Sequence, residues 1–423
     1  MKGKLSAMRA RVAGSKRTLD ALRLAGLVLA SLAVAPASPA QTRDAAPAAA
    51  ALTADEQLLA LGREVPGFGG AFVGADGALH VYLLDPGGGG AWLDKALGAP
   101  ARVHRAAFTF ERLVQWKRAI APVMALPGVA SLDVDEARNR VTLGVRRGIA
   151  PADRARLDAT LAGSGVPAAA VVVEEVAPFV AVPPAVAAKA QTSTSLRDTV
   201  RPIPGGVQVG WLCDATTCRY CTDGFTAFRG RALGFVTCSH CSHQRGVVDG
   251  TRYVQSSPTS GGEVGTEIVD PPFVACNGGR RCRGSDAVFV RLDRKSLGSF
   301  ARIARPTSRD PVLGSITVKP ASARLNVIGG GAAPLAGETL HKIGRTTGWT
   351  YGPVVASCMD VNLDDSDITM VCQTAVAAGV GVGDSGSPVF TRRGGNGALL
   401  QGIVWGAGEV ADRDAFILSL IHI

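Results

Sequence analysis

Three things are scarce or missing in this chain, and each absence narrows what it can be. No apolar run is long enough to cross a bilayer as a helix, which takes about 20 residues. No basic tract is interleaved with aromatic residues, so the footprint of a nucleic-acid binder is missing despite a net charge of +10. Cysteine is absent from the first 212 positions. All nine, at 213, 218, 221, 238, 241, 276, 282, 358 and 372, lie in the second half.

The N-terminus carries an address. Lys2, Lys4, Arg9, Arg11, Lys16, Arg17 and Arg23 precede the apolar run "LAGLVLASLAVA" (Leu24–Ala35), and "PASPAQ" follows. A basic start, a short apolar core and a small-residue exit are the signature of a secretory signal peptide. Residues 1–40 read as that leader, cut after Ala40, with Ala37 the second choice. The product is expected to be secreted or periplasmic, with no membrane attachment after cleavage. Thiols oxidise after export, so clustered cysteines read as disulfides. Part of the positive charge leaves with the leader, and the rest reads as a solubilising surface.

Two textures follow. "QTRDAAPAAAA" (41–51) reads as a disordered lead-in to an α+β region that runs to residue 180. In that region "ADEQLLALGREV", "FTFERLVQWKRAIAPVMAL" and "ADRARLDATLAGSG" carry helical spacing, and "AAAVVVEEV" reads as a strand. "GGAFVGADGALHVYLL" and "VASLDVDEARNRVTLGV" read as hairpins, giving one sheet with helices on one face. The acidic group Asp133, Asp135 and Glu136 reads as a solvated turn, because the glycine and bidentate glutamate of a calcium loop are missing. Residues 181–200, rich in Pro, Ala, Ser and Thr, read as a linker. From about residue 201 glycine rises and short β runs recur, among them "GVQVGWL", "ALGFVTC", "DAVFVRL", "ITMVCQT" and "LLQGIVWG". This is the pattern of an all-β barrel or sandwich.

The cysteines pose a choice. "CRYC" (Cys218–Cys221) and "CSHC" (Cys238–Cys241) are separated by sixteen residues, a zinc-ribbon spacing. The second motif also sets His240 at the end of the apolar run "GFVTCS". Downstream, "SDAVFVRL" puts Asp286 just before an alternating strand, and "GVGDSGSPVF" puts Ser385 on a glycine-rich turn. On that turn Gly383 and Ser385 can aim their backbone N–H groups at one point, as an oxyanion hole requires. A serine nucleophile needs a base, and the base needs an orienting acid. His240, Asp286 and Ser385 supply the three in order. A zinc ribbon would leave "GDSGSP" and Asp286 unexplained, so no metal and no cofactor is expected.

With these motifs the second half resembles the chymotrypsin-like serine proteases, in the bacterial secreted branch of α-lytic protease and the streptogrisins. The resemblance covers about residues 205–410. It implies two Greek-key β-barrels, with His240 as base, Asp286 as orienting acid, Ser385 as nucleophile, and a disulfide between Cys221 and Cys241. It also implies that "GIVWG" (Gly402–Gly406) pairs with substrate through Val404, Trp405 and Gly406, and that Gly379 lies at the primary pocket. "GRTTGW" resembles the segment whose arginine, here Arg345, pairs with Asp384. Cys276–Cys282 and Cys358–Cys372 would close short local loops. Cys213, Cys218 and Cys238 are left open, with Cys213–Cys218 one possibility.

The resemblance implies a protein or peptide substrate, a monomer, and control by residues 41–180 as a prosegment that assists folding and inhibits. Three departures stand out. Val404 replaces a serine that would support Asp286. Gly379 carries no charge, which favours a small or apolar residue before the scissile bond. The family's last strand and terminal helix are missing after residue 417, and "LSLIHI" (418–423) matches a translated sequencing adaptor, so those residues are expected to be foreign to the gene. The expectation is a secreted serine endopeptidase, and the alternative a protease-like binding protein that uses the same cleft for recognition.

Overall fold

The computed structural model describes residues 52–88, 100–188, 195–211, 213, 217–256, 262–319, 324–410 and 412–419. The expected leader, residues 41–51, residues 189–194 of the expected linker, and His422 lie outside them. The described chain is mostly β, with a small α/β region on its N-terminal side.

That region contains α1 (Ala54–Glu64), β1 (Phe68–Val73), β2 (Leu79–Leu83), β3 (Ala101–Arg105), α2 (Phe110–Ile120), β4 (Val129–Asp135), β5 (Arg140–Arg146), α3 (Pro151–Gly163) and β6 (Val171–Val176). Thr53 starts α1 with a capping box: its hydroxyl accepts from the Glu56 N–H, and the Glu56 carboxylate accepts from the Thr53 N–H. Thr109 caps α2 with its hydroxyl alone, which accepts from the Arg112 N–H. From α2, Phe110, Leu113, Val114 and Ile120 join Phe68, Leu132, Val141, Leu143 and Leu157 in one core.

The two hairpins do not share a sheet, contrary to the reading from periodicity. The β1–β2 hairpin is extended by a parallel β3 into a three-stranded sheet. The β4–β5 hairpin is extended by a parallel β6. The free edge of β4 then pairs antiparallel with β22 (Gly348–Asn362), Asp360 opposite Leu132 and Val361 opposite Ser131. Backbone pairing across that edge ties the region to the rest of the molecule, and hydrophobic period alone cannot say which edge is taken.

Residues 180–188 form two short strands rather than an unstructured connection: β7 (Val180–Ala181) and β8 (Ala185–Ala188). Next come β9 (Ile203–Gly205), β10 (Gln208–Trp211), β11 (Thr217–Thr222), β12 (Phe225–Arg229), β13 (Ala232–Cys238), β14 (Arg252–Val254), β15 (Glu263–Val269), β16 (Val274–Ala275), β17 (Arg281–Arg283) and β18 (Ala287–Leu292). The chain continues through β19 (Gly298–Ala304), β20 (Arg324–Gly330), β21 (Thr339–Gly344), β22, β23 (Ile368–Val376), β24 (Pro388–Arg393), β25 (Gly397–Val410) and β26 (Arg413–Ser419). One sheet runs β12-β13-β18-β15-β14-β10-β11-β8, and the other runs β16-β17-β23-β26-β25-β24-β21-β22 before continuing into β4-β5-β6. Val209, Phe235, Tyr253, Phe289, Ile343, Phe390 and Trp405 are among the residues of their common core.

Candidate active site

The site lies where the two sheets meet, and local pairing brings its parts together. β13 pairs with β18, with Cys238 opposite Ala287. His240, on the single turn Ser239–Cys241 just after β13, and Asp286, just before β18, therefore emerge at the same end. The Ser239 N–H donates to the Asp286 carbonyl at 3.1 Å, which closes that end. Ser385 comes from the turn between β23 and β24, and its carbonyl accepts from the Thr222 N–H at 2.8 Å, joining the turn to β11.

The three side chains form one relay. His240 Nε2 lies 2.8 Å from Ser385 Oγ, and His240 Nδ1 is hydrogen-bonded to Asp286 Oδ2. Asp286 is fully buried, and its other oxygen accepts from Arg245 Nε at 2.8 Å. Burial pushes the Asp286 carboxyl up, but Arg245 and His240 outweigh it and hold the group well below the usual carboxylate range. An ionised carboxylate fixes the imidazole with Nδ1 protonated, leaving Nε2 to take a proton from the serine. Arg245 thus supplies the support that a serine at position 404 was expected to give. It was missed because it sits in a loop with no distinguishing pattern.

Asp384 organises the serine turn, though with a different partner from the one expected. Lys342 Nζ lies 3.0 Å from Asp384 Oδ2, and both side chains are fully buried. The carboxylate also accepts from the Thr347 hydroxyl at 2.6 Å, the Thr346 N–H at 2.8 Å and the Gly381 N–H at 3.1 Å. Arg345 instead donates through Nε to Gln208 at 2.6 Å and lies over the Tyr220 ring. The reason is where each residue sits relative to β21. Lys342 is on β21, facing the turn, while Arg345 lies just past the end of that strand. Gly383 has φ +93°, a conformation that strains any side chain, and a Cβ there would meet Ala185 and Arg345.

The cleft holds the chain's own residues. β7 runs antiparallel to β25, Ala181 opposite Gly406 and Val180 opposite Ala407. The Val182 N–H donates to the Trp405 carbonyl at 2.9 Å. The Val182 carbonyl accepts from Ser385 Oγ at 2.7 Å and lies 3.1 Å from His240 Nε2. The Gly383 N–H donates to the Pro183 carbonyl at 2.8 Å. β8 then runs antiparallel to β11.

Among the residues expected to meet substrate, Trp405 and Gly406 face this segment. Val404 does not: its carbonyl accepts from the Gly386 N–H at 2.8 Å and from the Cys238 thiol at 3.0 Å. A register shift between Val404 and Gly406 in the β25–β26 ladder accompanies this one-residue displacement. Gly379 packs on the backbone of Val312, which leaves no room for a side chain, and its N–H donates to Pro311.

The disulfides are Cys213–Cys218, Cys221–Cys241, Cys276–Cys282 and Cys358–Cys372, with Cys238 a buried free thiol. Cys221, His240 and Cys241 stand close enough to share an ion, as do Cys238, His240 and Asp286. The first set has both sulfurs in a disulfide. In the second, burial pushes the Cys238 thiol well up, so it stays protonated. Neither set offers a thiolate ligand.

No protein-family model matches the chain, and no curated protein matches it. Solved structures of bacterial chymotrypsin-like serine proteases do, over about half of the chain. Thermobifida fusca Protease A matches with 23% identity and TM-score 0.36, covering 52% of this chain and 92% of its own. A Nocardiopsis protease matches with 23% identity and TM-score 0.35, covering 52% and 92%. A glutamic-acid-specific serine protease, described as using a histidine triad in substrate binding, matches with 20% identity and TM-score 0.36, covering 52% and 93%.

Proposed function

We propose that this protein is an exported serine endopeptidase, made with an N-terminal segment that restrains it. The observation that carries this reading is the relay itself: Ser385 Oγ 2.8 Å from His240 Nε2, with Nδ1 held by a buried, ionised Asp286. In this mechanism His240 takes the hydroxyl proton as Ser385 Oγ attacks a peptide carbonyl carbon. The Gly383 and Ser385 N–H groups receive the oxyanion. His240 then hands the proton to the leaving amine, and water releases the acyl group. Asp286 stays ionised and stabilises the imidazolium. The two β sheets are read as two Greek-key barrels with this cleft between them, and residues 41–180 as the prosegment. That assignment is supported by the pairing of β4 with β22 and of β7 with β25.

The test is labelling by a fluorophosphonate that reports an activated serine. In the full-length chain the Val182 segment covers Ser385, so slow labelling is expected. Val182→Glu sets a charge where the native side chain is 3% exposed, which drives the segment out and speeds labelling. Mass spectrometry should find the adduct on Ser385, Ser385→Ala should remove it, and peptide turnover should fall about 10⁴-fold or more. A folded Val182→Glu protein that takes no label would overturn the proposal and leave a protease-like binding protein.

A further inference from the structure

We infer that residues 180–188 lie in the cleft with the polarity of a bound substrate, and that Pro183 protects the Val182–Pro183 bond from Ser385. This rests on the nucleophile reading above. The segment enters along β25 and leaves along β11, antiparallel to both. Backbone pairing on both sides of a reacting centre is how an extended peptide is held by a sheet edge. Between the two ladders Val182 is buried, Pro183 is exposed, and the Val182 carbonyl is the one against Ser385 and His240. Val182 therefore stands on the acyl side of the bond that would break, and Pro183 on the leaving side.

Two features hold this bond unreacted. Ser385 Oγ donates to the Val182 carbonyl oxygen, and the Gly383 N–H is taken by the next carbonyl, that of Pro183. The carbonyl to be attacked is thus outside the donor that would stabilise its oxyanion. Proline explains why it stays there. Its ring fixes its own φ and confines the preceding residue to extended conformations, and Pro184 repeats the restriction on Pro183. Its nitrogen also carries a ring carbon where another residue has hydrogen, so the leaving nitrogen cannot turn freely toward His240 for protonation.

Replacing Pro183 should turn the occupant into a substrate. Ser385 Oγ would bond to the Val182 carbonyl carbon and the C–N bond to residue 183 would break. The serine proton would pass through His240 to that nitrogen, and one water would then hydrolyse the ester and restore Ser385. The experiment uses full-length Pro183→Ala, with Pro183→Ser as a second variant, and reads the new N-terminus by mass spectrometry.

Cleavage after Val182 in either variant, absent from wild type and from Pro183→Ala/Ser385→Ala, is the expected result. It should be independent of protein concentration, since the segment is in its own cleft. Wild type cut at the same bond would overturn the inference. So would folded Pro183→Ala and Pro183→Ser proteins that both stay whole while Val182→Glu labels on Ser385, an outcome that leaves the serine nucleophile intact. If Val182→Glu takes no label either, the nucleophile itself is wrong and the inference falls with it.

Discussion

Two cations, one buried and one half-buried, decide how the site residues behave. Lys342 and Asp384 have no exposed surface, and burial pulls the Lys342 pKa down against the pull of Asp384. Such a pair adds little net stability, but removing one partner strands the other charge in the interior. Lys342→Met should therefore cost about 3–5 kcal/mol, read as a lower urea midpoint with unchanged slope, and Lys342→Met/Asp384→Asn should recover part of it. Arg245 acts on reactivity instead. Its guanidinium shares Asp286 with His240, and Arg283 also faces that carboxylate. Without Arg245 one oxygen of the buried Asp286 carboxylate loses its charged donor, so Arg245→Met should slow fluorophosphonate labelling of Ser385, by on the order of tenfold, and Arg245→Lys should recover part of the rate. Unchanged labelling would mean that Arg245 only supports the loop.

Among the elements, strand pairing carries the organisation. β13 and β18 were legible as alternating apolar runs, and their pairing is enough to bring His240 beside Asp286. β7 and β8 were not legible, because "VAVPPAVAA" has neither charge nor period to mark a strand. Their partners on β25 and β11 make them strands. The β25 ladder also shows why reading by motif missed by one residue. The shift at Val404 leaves its carbonyl to the interior and gives Trp405 the contact with Val182.

Across the whole molecule, the N-terminal region docks through buried charge. Asp55 on α1, Lys117 on α2, Asp133 and Asp135 on β4, Glu136 beyond it and Asp360 on β22 converge there. Lys117 Nζ lies 3.1 Å from Asp55 Oδ2 and donates to the Cys358 carbonyl at 2.6 Å, and Ser357 donates to Glu136 at 2.7 Å. Of the acidic turn read as solvated, Asp133 and Glu136 thus belong to an interface, while Asp135 stays partly exposed and pairs with Arg138. Burial pushes the Glu136 carboxyl up to about 8 and raises those of Asp133 and Asp360. A carboxyl raised on docking binds more protons docked than free, so its contribution is complete below the ordinary carboxylate value. For Glu136 it declines from there to about pH 8, at about 1.4 kcal/mol per pH unit. The region should therefore be held more tightly at pH 5 than at pH 8, read as hydrogen-exchange protection of β4. Glu136→Gln should flatten that dependence.

By itself the sequence determined the chemistry on offer. A histidine closing an apolar run, an aspartate opening another and a serine on a glycine turn are local patterns, legible because strand ends and tight turns impose residue types on their own positions. What only the tertiary structure decided is which charge meets which. Lys342 looks like any lysine on an alternating strand until β21 packs against the serine turn. Arg245 looks like any loop arginine until β13 and β18 bring Asp286 to it. Glu136 looks like a solvated turn residue until β4 pairs with β22. A short-range pattern fixes a backbone, whereas the energy of a charge depends on its distance from water and from other charges, and folding sets both.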